Sequence, residues 1–98
     1  EIAKTIYIIR GEINDYDHVF TFDLKANLLK HNQDLRNSEI PVPVLNAATA
    51  AYNGYEIRDA DLLEERGKAL YILKMKKSRV NLYVTFSHNG KILEVNED

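Results

Sequence analysis

The residues that could do chemistry in this 98-residue chain are three histidines, two acidic pairs and a basic run. His18, His31 and His88 are widely separated, and no two stand at the spacing of a metal-ligand pair. His18 matches an apolar position, Leu82, in the internal repeat set out below, so a satisfied histidine of core or rim is expected there. Asp59/Asp61 and Glu64-Glu65 have no nucleophile, base or metal partner beside them and read as a solvated face. Convergence of His18, His31 and Glu64 or Asp61 in space is the one arrangement that would support an enzyme. Lys74, Lys76, Lys77 and Arg79 read as a solubilising hairpin that blunts a strand edge, with docking of an acidic partner as the alternative. Asn89-Gly90 is a turn and not a phosphate loop, because no helix follows it. Tyr52, Tyr55 and Tyr71 are expected to pack at a helix end and on a sheet. The expectation is a protein that is not an enzyme and needs no cofactor and no metal.

Composition agrees. A net charge of −2 and a pI near 5.9 argue against nucleic acid, which selects basic faces. No apolar run approaches the roughly 20 residues needed to cross a bilayer as a helix, so membrane insertion is not expected. There is no cysteine, which excludes disulfides and thiolate metal sites. The opening EIAKTIYIIRG lacks the basic, apolar and small-residue regions of a signal peptide, as a mature secreted protein also would.

The elements that would position these groups come from a repeat. A shift of 64 residues lays residues 3–34 over 67–98 without a gap, with 8 identical pairs in 32 positions. Tyr7/Tyr71, Ile8/Ile72, Thr21/Thr85 and Phe22/Phe86 are among them. A period of this kind signals a repeated supersecondary unit. In the first copy, Thr5–Arg10 and Asp17–Asp23 read as strands, with His18, Phe20 and Phe22 on the core side. Leu28–His31 begins a third strand that lapses into the polar stretch Asn32–Asn37. In the second copy, strands are expected over Ala69–Lys76, Val80–Ser87 and Lys91–Val95, preceded by one at Tyr55–Glu65. Asn89-Gly90 predicts a type I′ hairpin turn.

Ser38–Tyr52 holds the only good helix. Pro41 and Pro43 suit its first turn, its alanines favour helix, and Asn53-Gly54 stops it. Val44, Ala48, Ala51 and Tyr52 form its packing stripe. By the period, a matching helix of the first copy would lie upstream of Glu1. Tyr7, Ile9, Phe20 and Phe22 need a cover, since four such side chains left wet cost several kcal/mol at about 25 cal/mol per Å². The one helix is expected to pack both half-sheets, with dimerisation as the alternative.

Residues 40–98 resemble one unit of the PepSY-like, β-lactamase-inhibitor-like family of secreted Bacteroidetes proteins. The resemblance rests on Pro41, Val44, Ala48, Tyr52, Gly54, Gly67 with Tyr71, then Val84, Phe86, Gly90 and Lys91. Residues 3–34 resemble the back half of a second, diverged unit, in which Ala26-Asn27 stands for Gly90-Lys91. The family's motifs determine a fold and carry no catalysis. The resemblance implies an α+β protein like the β-lactamase-inhibitor protein: an antiparallel sheet from tandem repeats (βββ then αββββ) with one helix on one face. It divides the chain into a partial unit at 1–35, a linker at 36–40 and a full unit at 41–98, within one continuous domain. It also implies a periplasmic or extracellular location.

Strand alternation puts a second set of apolar residues on the face away from the helix: Ile6, Ile8 and Val19 with Arg10, and Leu70, Ile72 and Tyr83 with Lys74. Apolar and basic residues mixed on a face that would normally be polar resemble a protein interface. The expected function is noncatalytic binding of a protein or peptide, in the manner of an inhibitor. The alternative is a homo-oligomeric, structural domain of an envelope protein.

Overall fold

A computed structural model describes residues 7–98. Seven antiparallel strands form one sheet, each paired to its neighbour in sequence: β1 (Tyr7–Ile13), β2 (Tyr16–Phe22), β3 (Leu28–Asp34), β4 (Glu56–Glu65), β5 (Lys68–Lys77), β6 (Val80–Ser87) and β7 (Ile92–Glu97). One helix, α1 (Val42–Ala51), connects β3 to β4 after a 3-10 turn at Asn37–Glu39. Thr5 and Ile6, the start of the first expected strand, lie outside the described residues.

The period of 64 is visible in the backbone. β1 and β2 meet across the two-residue turn Asn14-Asp15, as β5 and β6 do across Ser78-Arg79. A bulge falls between Thr21 and Phe22, and its counterpart between Thr85 and Phe86. The following turns share their hydrogen bonds: Ala26 N–H donates to the Asp23 carbonyl and Asp23 N–H to that of Asn27, as Gly90 N–H does to Ser87 and Ser87 N–H to Lys91. In these two turns the third loop residue is left-handed, Ala26 at φ 63° and Gly90 at φ 91°.

This corrects the expected turn at Asn89-Gly90. A type I′ turn needs positive φ at both central residues, and only Gly90 has it; the loop is three residues long with a glycine in the left-handed position. The two-residue turns at Asn14-Asp15 and Arg66-Gly67, by contrast, have both residues left-handed. The third strand also runs further than its polar sequence suggests. Asn32, Gln33 and Asp34 belong to β3 because β4 supplies a ladder for all three and β2 pairs with Asn32 and Gln33 on the other side.

Ile40, Val44, Ala48, Ala60, Leu73, Met75, Val84 and Phe86 form the buried core between α1 and the sheet. The largest of the completely enclosed side chains are Phe86, Leu73, Met75, Val44 and Val84, and each stabilises the fold by about 1.5–3 kcal/mol. Ala48 lets the helix approach closely, while Ala51, expected in the packing stripe, is exposed. Pro41 caps the helix and Pro43 sits in its first turn, where missing N–H groups cost nothing.

The helix covers only the second half of the sheet. The core draws on β4, β5 and β6, and neither Phe20 nor Phe22 joins it. Ten residues of helix span about 15 Å, too short to reach across seven strands spaced at about 4.8 Å. The expectation that one helix packs both half-sheets is therefore overturned. Tyr7 and Ile9 remain more than half exposed on the same side, next to the half-buried Phe20 and Phe22.

Candidate functional site

The face opposite α1 carries the expected binding residues, and register fixes their neighbours. One cross-strand row runs Arg10, Val19, Asn32, Leu63, Leu70 and Ser87. The next includes Asp34, Asp61, Ile72, Thr85 and Glu94, followed by Asp59, Lys74, Tyr83 and Asn96. Ile8 lies opposite Thr21 at the other side of the first row. Leu70, Ile72, Lys74 and Tyr83 are thus contiguous on β5 and β6, and the Lys74 ammonium lies 5.6 Å from the Tyr83 ring centroid. Ile8, Arg10 and Val19 are contiguous on β1 and β2. Three strand spacings, about 14 Å, separate the two groups. Ile6 lies outside the described residues.

Two features of the middle strands escaped sequence reasoning. Leu63 bridges the two apolar groups, half-buried between Asn32 and Leu70. Beside it, Asp34, Asp59 and Asp61 bring carboxylate oxygens within 4.8 Å of one another. Burial first, then a hydrogen bond with Asp34 and the nearby charges of Asp59 and Asp34, push the Asp61 carboxyl up to about 7. Asp61 is consequently no part of a solvated face. The spacing of Asp59 and Asp61 was visible in sequence; that β3 would run on to Asp34 and lie alongside was not.

The basic run is also placed differently. β5 is an interior strand paired on both sides, so its lysines do not guard a sheet edge. Lys74 lies over Tyr83 on the open face, and the Lys77 ammonium lies 5.7 Å from the Tyr55 ring at the end of α1. Tyr52 and Tyr55 meet edge to face at 5.7 Å, so the tyrosines pack as expected.

The helix side of the first half-sheet holds the convergence that the sequence left unexpected. Phe20 is paired with His31, which is paired with Glu64 on β4, and His18 lies two residues from Phe20 on the same side. His18 Nδ1 is 2.7 Å from His31 Nε2, and His31 Nδ1 is 3.0 Å from Glu64 Oε1. Phe20 stacks on His31 with centroids 4.4 Å apart. A carboxylate, an imidazole and a second imidazole in series can pass a proton between them. The series contains no hydroxyl or thiol nucleophile, and Glu64 is 55% exposed at its far end.

Against known proteins, no family model matches the chain and no curated protein does. Solved structures do. A DUF2874 family protein from Bacteroides uniformis superposes with a TM-score of 0.86 at 18% identity, covering 94% of this chain and 70% of the other. A proposed periplasmic protein from Bacteroides eggerthii gives 0.85 at 16%, with 94% and 70% covered. A BLIP-like protein from Bacteroides fragilis gives 0.83 at 21%, with 99% and 71% covered. The fold is BLIP-like. At these identities the likeness concerns shape alone. It bears out the inhibitor-like α+β fold that the sequence resemblance implied, whereas the PepSY label has no counterpart among these proteins.

Proposed function

We propose that this protein is a noncatalytic binding module that holds a protein partner on the sheet face opposite α1. The observation that carries the reading is the breadth of that face. It crosses seven strands, and among the described residues no element of the chain lies over it. A sheet facing only water is normally polar on that side. Here Ile8, which is 53% exposed, and Tyr83, at 37%, share the face with Val19, Leu63, Leu70 and Ile72, with Arg10 and Lys74 among them. Aromatic and basic residues around an apolar centre are the composition of protein interfaces. Capture of an enzyme in the manner of an inhibitor is the narrower form of the reading, supported by the BLIP-like neighbour. A periplasmic setting is supported by the neighbour from Bacteroides eggerthii.

Replacement of both Ile72→Asp and Tyr83→Ala should abolish binding of the partner that the wild type captures from periplasmic extract, once that partner is purified and titrated directly. The thermal midpoint should stay near that of the wild type. Undiminished affinity in the double variant would sink the proposal.

The uncovered aromatic side chains on the helix side favour a second reading, in which two copies pack their first half-sheets together. Sedimentation velocity at micromolar concentration separates the two: a stable dimer that Phe22→Asp dissociates supports it, and a monomer removes it.

A further inference from the structure

We propose that His18 and His31 form a binding site for a divalent transition-metal ion of the Zn²⁺ class, held between His18 Nδ1 and His31 Nε2, with Glu64 as the residue that positions the second ring.

The ring centroids of His18 and His31 are 5.0 Å apart, their planes differ by 2°, and the facing nitrogens are 2.7 Å apart. Two imidazoles can satisfy these values only edge to edge, in a common plane, with the two nitrogens between the centroids. A ring nitrogen's lone-pair direction lies in the ring plane and points outward, so the two nitrogens point at each other along one line.

Glu64 decides which nitrogen of His31 is free. Its carboxylate oxygen, 3.0 Å from His31 Nδ1, accepts a hydrogen bond and keeps the proton there. The lone pair is then on Nε2, facing His18. A carboxylate on the far nitrogen of a ligating histidine is the usual outer support of a metal site, fixing tautomer and ring direction. Phe20, stacked on the His31 ring, holds its plane and shields one face from water.

Without metal, His18 Nδ1–H fills the position by donating to His31 Nε2. Metal binding requires that proton to move to His18 Nε2, a change of tautomer that leaves the ring neutral and frees Nδ1. Metal–nitrogen bonds of about 2.0–2.1 Å in tetrahedral geometry put the nitrogens about 3.3 Å apart and their lone pairs at about 109°, so the nitrogens must part by roughly 0.6 Å and each ring must swing by about 35° from the shared line. Rotations about χ1 and χ2 supply this on a side of the sheet that α1 does not cover. Water completes the coordination. Two imidazole donors favour zinc, copper and nickel over calcium and magnesium, which take oxygen ligands.

The test titrates ZnCl₂ into the full chain, followed by calorimetry and by long-range ¹H–¹⁵N spectra of the imidazoles. Saturable one-to-one binding is expected, with shifts at the ring nitrogens of His18 and His31 and none at His88. His18→Ala and His31→Gln should each lower affinity at least tenfold, and Glu64→Gln by about tenfold, as outer-shell losses do. Circular dichroism checks that each variant is folded, and the wild-type spectra decide the point without any variant. Excess CaCl₂ should not compete. The proposal is overturned by absence of saturable binding, by shifts centred on His88, by undiminished affinity in the histidine variants, or by displacement with calcium. That last result would move the ion to Asp34, Asp59 and Asp61 on the opposite face.

Discussion

One pair of equivalent residues in the two copies of the repeat meets quite different surroundings. Gly90 and Ala26 occupy the same place in the same turn, and both are left-handed. A Cβ on Gly90 would meet the Pro43 carbonyl oxygen at 2.5 Å, because the start of α1 rests on that turn. Gly90→Ala therefore combines backbone strain with a clash against backbone, and should destabilise by about 1–3 kcal/mol or more in a denaturant melt. Ala26 bears only the strain, so Ala26→Gly should stabilise by about 1 kcal/mol in the same measurement. Asp61 supplies a prediction of opposite character. Its folded-state pKa lies above the unfolded value, so the folded state binds more protons between about pH 4 and 7, and stability falls as pH rises through that window. Asp61→Asn should flatten this slope between pH 4 and 7 and raise the melting temperature at pH 8. An unchanged slope would show that the group titrates normally.

At the scale of elements, much of the architecture was legible. The repeat predicted paired strand trios, and the alternation that put Leu70, Ile72 and Tyr83 on the face away from the helix leaves Leu73, Met75, Val84 and Phe86 for the helix side, where they are buried. Leu73→Ala and Phe86→Ala should each cost about 2–5 kcal/mol of unfolding free energy, since α1 cannot collapse into the space they leave. A loss below about 1 kcal/mol would mean that the helix is loosely seated. What the sequence concealed depended on pairing between distant segments. The polar residues Asn32–Asp34 have poor strand propensity, and ladders to β2 and β4 keep them extended, Asp34 through β4. The ladder to β4 in turn creates both the aspartate cluster and the Glu64–His31 contact, between residues 33 apart in the chain. No local spacing announces a contact of that kind. The His18–His31 pair was hidden for the same reason, as its partners come together through the β2–β3 register.

The whole molecule is a sheet with unequal sides, one half-covered by a helix and the other, among the described residues, crossed by no further element. The binding proposal belongs at this scale, because neither group of open-face residues is a large patch alone and only Leu63 and its row join them. The sheet also has a property independent of any partner. Strand order in space repeats strand order along the chain without a crossover. Five of its six ladders close across loops of two to five residues, and only the excursion through α1 is longer. Each of those five ladders can therefore zip from its own turn at small loss of chain entropy, and refolding should be fast for an all-antiparallel sheet of this size.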